Sequence, residues 1–493
     1  MPNFTPPPWS HPFVLSWCAS TAGCAVVSDD KLDLWLDPDR DGHTLATDCD
    51  NTDPRVGGPE DPSDQIDNDC DGIVEVGDAA ALDTYTGEPG SRTAARIAVV
   101  DGASGVLIGP DSAGSGNKVV WLEVTDDGFI EHAVWNVDIE GDLGHPKGAI
   151  AQEFGTDGKP LVALAFPDAR VDGREQAGCV VLLADDKVTG EHTLTVDDCT
   201  INGPEAYARA GADIAMGRTT TQQGGILVGF PGMSEATVYT VSPESGGHRV
   251  ERGSSIFGNE GEGIGEAVAW LNQTDPIADG PPMWAVGLPG ASGGNGEVRM
   301  YLADTEADHT ELHQWTWIGE NSEQLGRFVG TAPAFDDTRS LLKVESLSRA
   351  MIVALRDTGT GEAPASIDDA AILTFKGIQP LGTHVPFLAE MPDGIGTPAD
   401  PIYWTALTAQ PVDGAPCAGS ASATWLVPVE LEGEWTPADA DKAVCLNEDL
   451  ESGVLTAVVS RGAEANLDNL VIGRPSAHSG GGKADLFTGL DWP

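Results

Sequence analysis

The chain has 493 residues, 40% of them hydrophobic, and a net charge of −52 from 26 Lys+Arg against 78 Asp+Glu. That is enough apolar material for a large core, so the chain reads as globular rather than disordered. Its charge repels nucleic acid and anionic membrane surfaces and favours cations, so nucleic acid is excluded as a partner. With 61 Gly and 34 Pro, short apolar runs bounded by Gly, Pro and Asp recur and long amphipathic helices do not; this is an all-β pattern.

Residues 12–17 form a short apolar run, followed by Thr21-Ala22-Gly23-Cys24. This resembles the lipobox of bacterial lipoproteins, where cleavage before a cysteine is followed by its lipidation. The resemblance implies a lipoprotein-type signal segment over 1–24, lipid on Cys24, and no membrane attachment other than that anchor. Two departures stand: Thr21 occupies the usual Leu position, and no Lys or Arg precedes Lys31. No later stretch is apolar for long enough to span a bilayer. The expected location is extracytoplasmic, as an outer-membrane or cell-surface lipoprotein or a secreted protein.

After a linker over 25–36 comes an acidic module over 37–78. Asp37, Asp39 and Asp41 stand at positions 1, 3 and 5 of a loop, Gly42 at 6, and Asp48 at 12. His43, at position 7, would offer its carbonyl. The pattern returns as Asp67, Asp69 and Asp71 before Gly72, with Glu75 at position 9 and Asp78 at 12. Between the loops, Asp48-Cys49-Asp50-Asn51-Thr52-Asp53-Pro54 adds further carboxylates. Hard cations need six to eight oxygens around one centre, and alternate residues of a tight loop point inward to supply them. One acidic run would read as solvated charge. Two copies bracketing a cysteine pair predict bound Ca²⁺, without the flanking helices of an EF-hand. Emptied of cations, such a module should loosen by charge repulsion.

The cysteines stand at 18, 24, 49, 70, 179, 199, 417 and 445, with no CxxC. Beyond Cys24 they fall into three neighbouring couples: Cys49/Cys70, Cys179/Cys199 and Cys417/Cys445. As disulfides, each would close a loop contributing about 3 kcal/mol in the chain-entropy model, and would point to an oxidising compartment. Buried free thiols are the alternative.

The run DxDxDG…DCDxxDP…DNDCDG, from Asp37 to about Glu75, is similar to the metal-binding repeat of MopE-type bacterial surface proteins. It is more loosely similar to thrombospondin type 3 calcium repeats. Copper binding is associated with part of the MopE-type family. The chain has no His pair or Met cluster here, and oxygen ligands suit calcium.

The rest of the chain repeats. An apolar strand ending in a small residue and proline recurs at Val106–Pro110, Val162–Pro167, Ile226–Pro231, Trp284–Pro289 and Leu470–Pro475. The period is roughly 60 residues, and one gap of about three periods has room for two worn copies. Met351–Arg356 and Tyr403–Thr408 are the candidates, without the proline. A Gly-led apolar strand precedes each motif and an alternating strand follows it. The expectation is an all-β fold: a seven-bladed β-propeller over 79–493, preceded by the small loop-rich calcium module. The pattern resembles the FG-GAP repeat of integrin α-chain propellers. That family's calcium loops are absent from the corresponding turns here. An array of β-sandwiches is the alternative.

Signals for catalysis are weak. Gly290-Ala-Ser292-Gly-Gly294 matches G-x-S-x-G, but it lies in a Gly-rich turn between strand patterns, not in a strand-to-helix elbow. The ten histidines form no HxH or HExxH. Trp315 and Trp317 alternate on one strand and read as blade packing, with a ligand platform as the alternative. The sequence therefore predicts a non-enzymatic, monomeric adhesion or binding protein for an extracellular protein or glycan, with structural calcium in its stalk. Two alternatives stay open: a propeller-fold glycan hydrolase or lyase, and a purely structural envelope protein.

Overall fold

The computed structural model describes residues 37–40, 43, 48, 50, 52–58, 66, 68, 74–76, 81–89, 91–92, 94–101, 105–110, 118–125, 127–140, 147–150, 160–220, 223–244, 247–271, 283–302, 313–336, 339–347, 349–356 and 366–376. Beyond these it describes 388–390, 403–409, 422–428, 433–436, 442–446, 455–459, 469–474 and 483–487. Residues 1–60 and 66–71 form one compact unit, and residues 61–65 and 72–493 a second.

The second unit is an all-β propeller. Its described helices are single turns, such as Val196–Asp198 and Pro231–Met233. The building block is a four-stranded antiparallel meander. Ile214–Thr220, Gln223–Phe230, Glu235–Glu244 and Gly247–Phe257 form one sheet in chain order, and Ala267–Leu271, Met283–Leu288, Glu297–Leu302 and His313–Ile318 form the next. The second strand of each carries the apolar-Gly-x-Pro motif and is buried almost throughout. It has a neighbouring sheet on each face, which is why it reads as a continuous apolar run rather than an alternating one.

Six hydrogen-bonded sheets form, not the seven predicted. The difference arises at the start of the ring. Arg96–Asp101, the innermost strand of the first repeat, pairs in parallel with Lys147–Ile150 through Val100↔Gly148 and Asp101↔Ala149. That pairing merges two proline-strand repeats into one nine-stranded sheet. Divergence along the chain is not the cause, since the worn copies Arg349–Arg356 and Tyr403–Ala409 each sit in a sheet of their own.

Strands from the N-terminal side complete the last two sheets. Asp83–Thr86 pairs antiparallel with Lys483–Phe487, and Val74–Val76 pairs in parallel with Lys442–Leu446. The sheet of Asp83–Thr86 then packs on the first: Val471, Ala484 and Leu486 share a buried cluster with Ala94, Ile97, Val106 and Ile108. Further along, Val228 and Phe230 pack with Ala163 and Ala165, and Val286 and Leu288 pack with Leu227 and Ala236.

The glycine of the motif has a steric cause. A Cβ on Gly229 would sit 1.9 Å from the carbonyl oxygen of Gly265, and one on Gly287 would sit 1.9 Å from that of Gly326. Each motif glycine is therefore where one sheet touches the loop leading into the next. Gly265 and Gly326 themselves have φ of +87° and +81°, which an L side chain resists. At the corresponding contact of Gly473, the left-handed residue is Ala94, with φ of 65°.

Candidate functional site

Asp37, Asp39, His43, Asp48, Asp50 and Asp53 of the acidic module fall among the described residues. The carboxylate Oδ1 of Asp37 accepts the backbone N–H of Arg40 at 2.7 Å, where the chain turns through a φ of 69°. Both carboxylate oxygens of Asp39 and Oδ2 of Asp48 are shielded from solvent. The other Asp48 oxygen accepts the N–H of Asp50 at 2.9 Å, and Oδ1 of Asp50 accepts the N–H and hydroxyl of Thr52 at 3.1 and 2.7 Å. These are Asx turns, in which a short carboxylate replaces a backbone acceptor and fixes the loop.

His43 and Asp48 are brought together over Gly57. A Cβ on Gly57 would meet Cβ of His43 at 2.8 Å and Cβ of Asp48 at 3.2 Å. The N–H of Gly57 donates to the carbonyl of Asn68 at 2.6 Å, and Nδ2 of Asn68 donates to the carbonyl of Arg55 at 2.7 Å. These two bonds tie Asn68 to the turn at residues 55–57. Asp53 is committed otherwise. Arg55 donates to its two oxygens at 2.9 and 2.5 Å, and that guanidinium holds the Asp53 carboxyl below its ordinary pKa.

Asp39 and Asp48 carry the hard oxygen donors that a cation such as calcium takes, while both oxygens of Asp53 are held by Arg55. Among the described residues, no group of three or more His, Cys, Asp or Glu is placed to hold a metal ion. Asp41, Asp67, Asp69, Asp71, Asp78, Cys49 and Cys70, together with Cys24 and Cys417, lie outside those residues. Glu75 lies in Val74–Val76 and Cys445 in Lys442–Leu446, strands of the propeller unit paired to each other. Cys179 and Cys199 form the expected disulfide, with Cα atoms 5.6 Å apart.

The other candidate is one end of the propeller. In an antiparallel meander the second and fourth strands finish at the end where the first begins. The proline turns and the loops from one meander to the next therefore share that end. Hydrogen bonds join them into a continuous surface. The N–H of Tyr207 donates to Glu175 O at 2.8 Å, that of Gly258 to Ser234 O at 3.0 Å, that of Gly290 to Glu262 O at 3.0 Å, that of Leu325 to Asn295 O at 2.9 Å, and that of Leu347 to Glu323 O at 2.8 Å. Tyr207 O also lies 1.6 Å from where a Cβ on Gly232 would be.

Partly buried ion pairs brace these loops. Glu262 and Glu323 each stand three residues before the left-handed glycine, and each accepts a backbone N–H three residues upstream, from Asn259 at 2.9 Å and Glu320 at 3.0 Å. Arg349 donates to both oxygens of Glu323 at 2.9 and 3.0 Å, while Arg299 lies 3.8 Å from Glu262 and 2.7 Å from Glu297. Hydrogen bonds from the Asn259 side chain and backbone, with the Arg299 charge, hold the Glu262 carboxyl below its ordinary pKa. Glu235, almost fully buried, is paired with Arg252 and accepts the Thr237 hydroxyl at 2.5 Å.

On this braced surface four large apolar side chains face solvent: Tyr207 at 56% exposure, Phe257 at 62%, Ile318 at 56% and Leu347 at 42%. The sequence reading missed them, because Tyr207 and Leu347 are single apolar residues in loops and Phe257 and Ile318 close strands whose other apolar residues read as packing. Only the strand register, which puts Phe257 and Ile318 opposite Glu235 and Glu297 at matching strand ends, reveals their equivalence. The tryptophans behave as blade packing. Trp317 is buried beside Val298 and Leu325, and Trp315 lies partly buried against the same cluster, its ring centroid 6.1 Å from that of Trp317. Ser292 donates to Oε1 of Glu297 at 2.5 Å, and the other Glu297 oxygen is held by Arg299. That serine closes a turn between two strands, and its carboxylate partner is tied up in an ion pair.

Compared with protein-family models and with curated protein sequences, the chain matches none.

Proposed function

We propose that the protein is an exported, surface-displayed binding protein. A calcium-stabilised N-terminal module precedes a propeller that recognises an extracellular protein or glycan without chemistry. The observation that carries the reading is the hydrogen-bonded loop surface with Tyr207, Phe257, Ile318 and Leu347 exposed on it. Loops braced by partly buried ion pairs lose little conformational freedom when a partner docks, and exposed apolar side chains supply contact area.

The recurring apolar-Gly-x-Pro strand is what supports an FG-GAP-like propeller, built here on six sheets. Calcium would be held by Asp37, Asp39, Asp41 and Asp48 in the first loop and by Asp67, Asp69 and Asp71 in the second. His43 would contribute its carbonyl, and Asp50 is a further candidate, whereas Glu75 is taken up in a propeller strand. The metal would neutralise crowded carboxylates and stiffen the module. Disulfide formation at Cys179–Cys199 supports an oxidising compartment, and lipid on Cys24 would tether the chain there.

The test is binding of the immobilised protein to arrays of extracellular proteins and glycans, compared with a Tyr207→Ser/Phe257→Ser/Ile318→Ser variant. Loss of a saturable signal in the variant, with an unchanged melting temperature, is the expected result. A signal indifferent to all three substitutions contradicts the reading, as does turnover of a glycan probe.

A further inference from the structure

Between Leu183 and Ile201 the chain leaves its own meander. It makes a turn at Asp185–Val188, and Gly190–Thr195 then runs parallel to the outer strand Gly128–Asp138 of the preceding meander, in register from Gly190↔Ala133 to Thr195↔Asp138. A second turn, Val196–Asp198, returns it to Ile201–Asn202 beside Cys179–Leu183. The excursion is a strap that seals an edge strand, and exposed edges are where foreign strands pair.

Side chains hold the strap down. Val188 and Leu194 are buried with Trp135 in one cluster, and Val137 and Cys199 pack against it. The indole Nε1 of Trp135 donates to the carbonyl of Lys187 at 2.7 Å, and Nδ2 of Asn136 donates to Glu191 at 2.8 Å. Lys187 and Asp198 close the strap on itself with a 2.8 Å ion pair. Cys199, at the returning end of the excursion, is bonded to Cys179, the first residue of the strand from which the excursion departs, across a separation of 20 residues.

We infer that Cys179–Cys199 is the clasp of a redox-sensitive strap, and that its reduction frees Gly190–Thr195 and uncovers the strand Gly128–Asp138 for pairing. Cys179 is fully buried and Cys199 only partly, so a dithiol reductant attacks Sγ of Cys199. The Sγ–Sγ bond breaks and its electron pair passes to Cys179, which takes a proton. The reductant's second thiol then displaces Cys199 as a thiol and leaves as a disulfide, so two electrons and two protons reach the protein. The strap then keeps its two apolar side chains, its edge bonds, the Trp135 and Asn136 hydrogen bonds and the Lys187–Asp198 pair, but loses the covalent closure that limits its excursions, and local opening becomes more frequent.

Hydrogen exchange with mass spectrometry on the full chain tests this, comparing the oxidised protein with Cys179→Ser/Cys199→Ser. Exchange over 128–138 and 190–195 is expected to quicken by about a hundredfold, the factor that a loop closure of this length is worth. Exchange over 267–271 and 283–288 is expected to stay unchanged. Should the double variant not fold, the folded wild type reduced with dithiothreitol gives the same comparison. Val188→Ser/Leu194→Ser, with the disulfide intact, should quicken the same two segments by a smaller factor. Equal exchange with and without the bond overturns the inference. So does faster exchange across the whole propeller, which would make the bond a global staple.

Discussion

The hydroxyl of Thr84 donates to Oδ1 of Asp485 at 2.7 Å, across 401 residues of chain. Asp485 is buried and paired with Arg474, itself buried one strand inward. The strand that completes the last sheet is thus locked by a charge that has left water, and such a pair is costly to break from one side. Asp485→Ala should destabilise the propeller by about 3–5 kcal/mol, because it strands the Arg474 guanidinium. Thr84→Val should cost only about 1 kcal/mol. Denaturant unfolding of both variants checks the ratio. Near-equal effects would mean that Arg474 finds another partner.

The motif glycines give a second prediction. Gly287→Ala puts a methyl where only 1.9 Å separates it from the Gly326 carbonyl, and backbone cannot yield as a flexible side chain does. The cost should be at least about 2 kcal/mol. Gly173→Ala, at a turn with φ of 79° and open space around it, should cost about 1 kcal/mol from backbone strain alone. Thermal melts of the two variants separate contact from conformation.

The motif glycines also mark what the sequence could tell. Gly229 and Gly287 were legible as a repeat because the same collision recurs at each sheet-to-sheet contact. The propeller fold followed from their spacing. The merging of two repeats through Val100↔Gly148 was not legible, since a two-residue parallel pairing has no sequence period. Nor was the strap, because Gly190–Thr195 pairs with a strand of another repeat and its only signal was the Cys179/Cys199 spacing. In the acidic module the turn-forming role of Asp37, Asp48 and Asp50 was hidden behind their likeness to ligands. The two uses call for the same residue types.

Acid should loosen the loop surface before it unfolds the sheets. The carboxyl of Glu262 is held below its ordinary pKa by Asn259 and Arg299. That of Asp198 is also lowered: burial, the largest influence, pushes it up, but hydrogen bonds from Lys187 and Thr195 outweigh it. A depressed folded pKa contributes stability that is complete above the unfolded value and is lost as pH falls through the folded one. Stability should therefore decline below about pH 4, and Glu262→Gln should flatten that slope while lowering stability at neutral pH. Chemical denaturation at pH 3 to 7 checks both signs.

Calcium is the claim on which the N-terminal half of the proposal rests. The repeated acidic spacing, Asp37, Asp39, Asp41 and Asp48 and again Asp67, Asp69 and Asp71, motivates it. The decisive measurement is calorimetric titration of calcium into chelator-stripped residues 25–493 in oxidising buffer, with Asp39→Ala and Asp69→Ala alongside. Saturable binding of two or more ions, weakened in each variant, is the expected result. A flat titration, or binding unaffected by both substitutions, would leave residues 37–78 as solvated charge organised by Asx turns and contradict the metal-stabilised module.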